Sequence, residues 1–76
     1  MGSNLRAERA RRGLTQSALA DIVGVVPISV ARWESGAAEP APRHLFKLAQ
    51  LFGCTPEYLL DMVELPNEHL APMTIN

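Results

Sequence analysis

The chain has 76 residues and a formal net charge of −1 at pH 7, with seven basic and eight acidic side chains. This length suits one small domain, which buries only about 60% of its unfolded surface and has modest stability. The chain has no apolar run long enough to span a membrane and only one cysteine, Cys54. These features exclude a helical membrane protein and an internal disulfide, and they fit a reducing cytoplasm.

The apolar spacing and the turn-forming residues predict five helices and no strands. The predicted bounds are residues 3 or 4 to 12, 15 to 23, 27 to 35, 42 to 52 and 55 to 61. Ser3 or Asn4 is expected to cap the first helix and Thr15 the second, because their side-chain oxygens accept a free backbone N–H. Gly13 and Gly53 follow the first and fourth helices, as glycine commonly does just past a helix end.

The stretch from Leu14 to Gly36 contains two of these helices, joined by a tight turn at Gly24. Helix 2 has one apolar stripe at three- and four-residue spacing, formed by Ala18, Leu19, Ile22 and Val23. Helix 3 is expected to bury Val30 and Trp33, while its other face carries Ile28, Ser29 and Arg32. A short helix that buries one face and exposes another fits the major groove of DNA.

The segment after the last helix, residues 62–76, contains two prolines and lacks a helical period. We therefore predict a helical domain over residues 1–61 and an extended, acidic C-terminal tail over residues 62–76. Within that tail Val63, Glu64 and Leu65 alternate as an edge strand or extended arm does, and such an arm can pair with a symmetry mate. The alternative is an unpaired terminus, which the prolines favour.

The charges are unevenly distributed along the chain. Residues 1–53 hold all seven basic and four acidic side chains, a net charge of +3, whereas residues 54–76 hold four acidic side chains and no Lys or Arg, a net charge of −4. The basic part can steer the chain toward phosphate, because the local field rather than the net charge guides association. The alternative is that the arginines of helix 1 only keep its surface solvated.

These features resemble the helix-turn-helix of the lambda-repressor/Cro-like family, also called the xenobiotic-response-element type. The matching residues are Thr15-Gln16, Leu19-Ala20, Gly24, Trp33-Glu34 and Gly36. The likeness continues in the family's order and spacing through Pro40, His44-Leu45, Leu48-Ala49 and Leu51-Phe52-Gly53 to Thr55-Pro56-Glu57-Tyr58-Leu59-Leu60. The resemblance implies an all-α fold, a compact five-helix lambda-repressor-like DNA-binding domain that places helix 3 in the major groove.

The resemblance and the outward face of helix 3 together suggest a set of DNA-binding residues. They are Gln16, Pro27, Ile28, Ser29, Arg32, Ser35, Arg9, Arg12, Arg43 and Lys47. The family's glutamine at the position of Gln16 bridges a phosphate and the recognition helix, as an amide can. Arg32 can pair with guanine O6 and N7, contact a phosphate, or form a surface ion pair. The resemblance also implies a structural ion pair between Arg9 and Glu34, which ties helix 1 to the end of helix 3.

Pro27 and Ile28 depart from the family pattern, which usually has polar side chains at these positions. Ile28 cannot form a hydrogen bond with a base, but it can pack on a thymine methyl group. Recognition of the base sequence would then depend more on Arg32 and on DNA shape. An exposed apolar pair at a helix start is equally expected of a protein-binding surface.

The sequence contains no recognisable catalytic or metal-binding arrangement. His44 and His69 lie 25 residues apart, and Cys54 has no ligand-type spacing to another residue. His44 is expected to contact a phosphate or lie on the surface, whereas Cys54 and Trp33 are expected in the core. We therefore expect no enzyme activity, no cofactor and no metal.

Two classes of function remain. The first is a cytoplasmic DNA-binding transcription regulator of prophage or mobile-element type. We expect it to act as a repressor that binds double-stranded DNA as a homodimer. The second is a protein-interaction module on the same scaffold, such as an antitoxin. The apolar residues of the C-terminal tail are consistent with a protein partner that binds there.

Overall fold

The fold is all-helical, as predicted. The computed structural model describes residues 2–70, and within this range it has five helices and no strand. The helices are α1 (Ser3–Arg11), α2 (Gln16–Val23), α3 (Pro27–Ser35), α4 (Pro42–Phe52) and α5 (Pro56–Leu59). The last helix is shorter than expected, because Asp61 adopts a left-handed backbone conformation with φ 59° shortly after it.

The five helices enclose one small core. Leu5 of α1, Leu19 of α2, Val30 of α3 and Leu48 of α4 are almost completely buried at its centre. Trp33 is also buried, with 5% of its surface exposed, so α3 turns an apolar face inward as the sequence predicts. The opposite face of α3 is thereby left on the surface.

The side chains of their own N-cap residues cap α2 and α5, whereas α1 has no such cap. Thr15 accepts a hydrogen bond from Ala18 N, as predicted, and Thr55 accepts one from Tyr58 N. For α1 the prediction was wrong: the N-cap is Gly2, and no side chain of this segment caps the helix. The cap comes instead from Asp61, 57 residues away from Asn4.

The Asp61 carboxylate satisfies two free N–H groups at the start of α1. Its oxygens accept from Ser3 N at 3.1 Å and from Asn4 N at 2.9 Å. A carboxylate at a helix N-terminus also interacts favourably with the helix dipole. Asn4 adds to this connection, because its Nδ2 donates to Tyr58 O at 2.8 Å and to Val63 O at 3.4 Å. The start of α1 is thus fastened to the end of α5.

Glu8 is a buried carboxylate, with 2% of its surface exposed, that connects α1 to α5. It accepts from Tyr58 Oη at 2.9 Å and pairs with Arg12 at 2.7 Å and Arg11 at 3.1 Å. Burial opposes its ionisation, but the hydrogen bonds from Arg12 and Tyr58 and the charges of the two arginines outweigh burial, so the pKa of Glu8 is lowered from its ordinary value of 4.5. Glu8 is therefore an ionised structural group at neutral pH.

The residues after α5 turn back toward it. Thr55 donates from its backbone N to Pro66 O at 2.8 Å and from its hydroxyl to Glu68 O at 2.7 Å. Residues 63–65, which alternate as an edge strand or extended arm does, form bends within this chain, and Val63 packs against the core. The pairing of this segment with a symmetry mate stays a prediction. Residues 71–76 of the predicted tail lie outside the described residues, and the domain boundary at residue 61 stays a prediction.

We expect Glu8→Gln to lower the free energy of unfolding by about 1–3 kcal/mol at pH 7, because it weakens a buried, charge-assisted network. The folded-state pKa of Glu8 is lowered, so its stabilisation is present above the unfolded pKa, about 4.5, and is lost as the pH falls through the folded value. The difference between Glu8→Gln and wild type should therefore shrink below pH 4.5. Urea unfolding at pH 7 and in steps below pH 4.5 measures both effects.

Glu39→Gln is the matched control, since Glu39 is exposed and makes no ion pair among residues 2–70. It should change stability by less than about 0.5 kcal/mol. A Glu8→Gln protein as stable as the control at pH 7 would contradict the role assigned to this carboxylate.

Candidate nucleic-acid interface

The exposed edge of α3 has the shape expected of a base-reading surface. Ile28, Arg32 and Ser35 are exposed and lie three or four residues apart, so they form one row along the helix. The Arg32 guanidinium has no hydrogen-bond or ion-pair partner within residues 2–70. Pro27, at the first position of the helix, is exposed beside Ile28, whereas Ser29 is half-buried.

An ion pair holds the far end of α3. Arg9 of α1 donates from Nε to Glu34 Oε2 at 2.5 Å and from Nη2 to Glu34 Oε1 at 3.0 Å. The side chains are only 15% and 4% exposed, and the hydrogen bonding of Arg9 to the Glu34 carboxylate raises the pKa of Arg9 above its ordinary value. Such a two-point contact fixes geometry as well as charge. The Arg9–Glu34 pair is therefore present, and it ties α1 to α3.

Gln16 joins the same group of side chains. Thr15 caps α2 and so places Gln16 at the first position of that helix. Gln16 Nε2 donates to Glu34 Oε1 at 3.2 Å. The amide thus contacts α3 through Glu34 and retains a second N–H for another acceptor. This contact joins Gln16 to α3, whereas the phosphate contact predicted for Gln16 stays a prediction.

Gly2 lies directly against the end of α3. Its φ is +96°, and a Cβ built on it would lie 2.2 Å from Trp33 O and 2.6 Å from Glu34 Cα. No side chain fits in that space, so only glycine lets the start of α1 approach α3 this closely. Gly2 and the Arg9–Glu34 pair together hold the last turn of α3, whereas the family resemblance indicated only the pair.

The other predicted basic residues occupy different surroundings. Arg12 donates to Glu8 and to Phe52 O at 2.9 Å and lies over the Phe52 ring at 4.7 Å. Lys47 donates to Val23 O at 3.3 Å, at the end of α2. Arg43 is exposed on the first turn of α4. A phosphate contact by Arg12 would break internal hydrogen bonds, whereas one by Arg43 would break none in the described part of the chain.

His44 and Cys54 lie at the edge of the core. The His44 ring centroid is 5.7 Å from that of Trp33, so His44 is a half-buried neighbour of α3 rather than a fully exposed side chain. Cys54 is half-buried and packs against the core. Burial, and next the charge of Glu8, raise the pKa of its thiol to about 11. A thiol with so high a pKa is a poor nucleophile at neutral pH.

The described residues, 2–70, offer neither a metal site nor a membrane-spanning helix. These residues contain no group of three or more His, Cys, Asp or Glu side chains that could hold a metal ion. None of the five helices has the length and apolar character needed to cross a bilayer.

The sequence matches a known family over most of its length. The model of the helix-turn-helix family HTH_3 matches residues 5–59, which include α2, the turn at Gly24 and α3. The chain belongs to this helix-turn-helix family. The resemblance noted from Thr15-Gln16 and Trp33-Glu34 is thereby confirmed.

Three curated relatives of this helix-turn-helix chain are repressors or transcription regulators by name. Repressor protein C2 of Salmonella phage P22 is 37% identical over 60 residues, which are 79% of this chain and 28% of the relative. HTH-type transcriptional regulator DicA of Escherichia coli K12 is 33% identical over 79% of this chain and 44% of the relative. The uncharacterized SPbeta prophage-derived regulator YonR of Bacillus subtilis 168 is 32% identical over 78% and 55%. The chain thus spans between about a quarter and about half of these relatives.

Two solved structures share the fold. The crystal structure of the P22 c2 repressor in complex with a synthetic operator has a TM-score of 0.72 and 34% identity, and the match covers 76% of this chain and 88% of that one. The solution structure of the DNA-binding domain of the P22 C2 repressor has a TM-score of 0.69 and 36% identity, with 78% of each chain covered. The helix-turn-helix chain thus has the lambda-repressor-like fold.

A double-mutant cycle tests the energetic role of the ion pair. Arg9→Gln and Glu34→Gln should each lower the free energy of unfolding, and their coupling should be about 0.5–3 kcal/mol because the side chains share hydrogen bonds. Chemical unfolding of the four proteins gives this value. Arg43→Gln is the control, since Arg43 is exposed and has no ion-pair partner within residues 2–70, and it should change stability by less than about 0.5 kcal/mol. Additive effects of the two variants would contradict the role of the pair.

A glycine comparison tests the contact between Gly2 and α3. Gly13 also has a positive φ, +67°, but a Cβ there would meet nothing within 4 Å. Gly13→Ala should therefore lower the free energy of unfolding by only about 1–2 kcal/mol, because alanine is strained in the left-handed conformation. Gly2→Ala must in addition displace the backbone of α3. We expect Gly2→Ala to destabilise more and to shift the fluorescence of Trp33, the single tryptophan. Equal effects of both substitutions on stability and fluorescence would contradict the close contact.

Proposed function

We propose that this chain is a sequence-specific DNA-binding transcription regulator, acting as a repressor, that places α3 in the major groove of double-stranded DNA. The observation that carries the proposal is the exposed row of Ile28, Arg32 and Ser35 on a helix whose opposite face is buried and whose end is held by Glu34. The fold shared with the P22 c2 repressor, solved with operator DNA, supports it. The relatives named as a repressor and as a transcriptional regulator support the proposal as well.

The chemistry of α3 suggests how bases would be read. Arg32 has free guanidinium N–H groups, which match the two acceptors of guanine in the major groove. Ile28, 53% exposed at the start of the helix, can pack on a thymine methyl group. Only one of these two side chains forms hydrogen bonds, so the readout has few polar contacts and depends in part on DNA shape.

Contacts to the DNA backbone would come from residues around α3. Gln16 has a free amide N–H beside the helix, and Arg43 is an exposed cation on the neighbouring α4. Such contacts set register and contribute salt-dependent affinity without reading sequence. One helix-turn-helix covers a half-site, so we also propose that two copies bind a two-fold symmetric site, with half-sites one helical turn apart. This function needs binding alone, with no chemical step and no cofactor.

A second candidate function is a protein-interaction module, such as an antitoxin. The observation that favours it is the exposure of large apolar side chains away from the row on α3. Phe46 is 62% exposed on α4, and Leu65 is 64% exposed in the segment after α5. Exposed apolar surface is typical of a protein-binding site when it is contiguous. Purification of the chain with a stoichiometric protein partner, together with salt-insensitive duplex binding, would favour this function.

Selection of bound duplexes from a random DNA pool tests the proposed function and the role of Arg32 together. The wild-type chain should enrich one motif with two half-sites about 10 base pairs apart. Arg32→Ala should lower affinity for that motif by about 1–3 kcal/mol and relax the preference at one base position, because base-edge contacts carry discrimination. Binding titrations of the enriched duplex measure the affinity change.

Arg43→Ala provides the comparison for a backbone contact, since it should weaken binding to all sequences about equally. If Arg32→Ala behaves in the same way, Arg32 contacts a phosphate and does not read a base. If the wild-type chain enriches no motif, the proposed function is wrong. Light scattering of the protein–duplex complex gives the number of copies bound, and a single copy on the full motif would contradict the two-fold arrangement.

A further inference from the structure

Asp61 has a backbone conformation that residues with a side chain rarely adopt. Its φ is +59°, and within residues 2–70 every other residue with a positive φ is a glycine. Two hydrogen bonds close the turn, from Asp61 N to Tyr58 O at 3.0 Å and from Met62 N to Glu57 O at 2.9 Å. Non-glycine residues persist in this conformation where the surrounding contacts over-determine them. The contacts of Asp61 must therefore compensate for its backbone strain.

The start of α1 depends on the Asp61 carboxylate for its hydrogen bonds. The N-cap of α1 is Gly2, which has no side chain to accept from the first N–H groups of the helix. The Asp61 oxygens take that role and accept from Ser3 N at 3.1 Å and from Asn4 N at 2.9 Å. The first N–H groups of a helix have no partner within the helix itself. The first turn of α1 is thus held from outside, by the segment that ends α5.

The turn that Asp61 caps is also the part of α1 that touches α3. Gly2 comes directly before it and accepts a hydrogen bond from Arg6 N at 2.9 Å. A Cβ on Gly2 would overlap with Trp33 O and with the backbone of Glu34, so the two helices meet backbone to backbone. A helix that loses its cap opens first at this terminal turn. Loss of the Asp61 carboxylate would therefore free Gly2 from its place against α3.

We propose that Asp61 is a positioning residue for α3: its carboxylate keeps Gly2 against the last turn of that helix and thereby fixes the angle at which α3 meets DNA. The inference rests on the proposed function, and Asp61 belongs neither to the exposed row on α3 nor to the predicted DNA-binding residues. Base contacts by Arg32 need close alignment, since hydrogen bonds weaken steeply with angle. Attraction to phosphates acts over longer distances and tolerates a tilt. Asp61 should therefore affect sequence preference more than general affinity for DNA.

Asp61→Gly is the variant that tests this role, because glycine keeps the left-handed backbone without strain and lacks the carboxylate. Asp61→Asn is the conservative variant, since its amide oxygen still accepts an N–H and asparagine tolerates a positive φ. Thr55→Ala is the matched control. Thr55 accepts from Tyr58 N at 3.2 Å, so its loss removes a cap from α5 and leaves the cap of α1 in place. Each variant of the full chain is titrated with the selected duplex and with an unrelated duplex, and urea unfolding gives its stability.

We expect Asp61→Gly to bind the selected duplex about tenfold more weakly, the loss of roughly one base contact, and the unrelated duplex as tightly as wild type. Asp61→Asn should lose about threefold, since a neutral oxygen is a weaker acceptor than a carboxylate. Thr55→Ala should keep the wild-type ratio of the two affinities, although it is destabilised. Arg32→Ala should weaken binding less in Asp61→Gly than in wild type, because the base contact is already impaired.

Three results would overturn the inference. An unchanged ratio of the two affinities in Asp61→Gly means that α3 keeps its orientation without the cap. An equal fall of the ratio in Thr55→Ala means that lost stability, and not lost position, is the cause. An equal loss on both duplexes means that Asp61 has no effect on base reading.

If Asp61→Gly does not fold, Asp61→Asn decides by the same comparison, and a ratio equal to that of wild type overturns the inference. The proposed function fails separately, when the wild-type chain itself enriches no duplex from the random pool.

Discussion

The bidentate contact between Arg9 and Glu34 is the interaction on which the exposed surface of α3 depends. Glu34 lies on the last turn of α3 and accepts hydrogen bonds from α1 through Arg9 and from α2 through Gln16. One carboxylate thus fixes the relative positions of three helices. The pair is almost fully buried, and loss of either partner leaves an uncompensated charge, which typically costs about 3–5 kcal/mol. The main role of the pair is therefore to fix the orientation of α3, and its net contribution to the free energy of folding is secondary.

Helix α1 contacts both α3 and the region of α5 and Asp61. At its start Gly2 touches the backbone of Trp33 and Glu34, and Asp61 caps its first N–H groups. One turn or more further on, Glu8 binds Tyr58 on one side, while Arg9 binds α3 on the other. The segment around Asp61 and the last turn of α3 are thus both fastened to the start of α1.

The sequence predicted local features well and distant contacts poorly. The bounds of α2, α3 and α4 agree with the predictions to within one residue, because apolar spacing, Thr15 and the prolines act within a few residues. The cap by Asp61 and the bond between Glu8 and Tyr58 join residues 57 and 50 positions apart, and no local pattern specifies such partners. The pairing of Arg9 with Glu34, 25 positions apart, was expected only through the family resemblance. Residues 63–65 alternate in character but form bends within the chain, since alternation alone cannot form a strand without a partner edge.

The composition of the exposed row on α3 explains why rigid support matters in this chain. Ile28 offers shape and apolar contact, and Arg32 is the one charged side chain in the row. A thymine methyl contact and a bidentate guanine contact both depend on placement, since hydrogen bonds weaken steeply when distance or angle departs from the optimum. A protein with many polar base contacts can tolerate a small error in one of them. Under the proposed function, so few base contacts would require α3 to enter the groove in one orientation, and the contacts of Gly2, Arg9 and Gln16 with its last turn would hold it there.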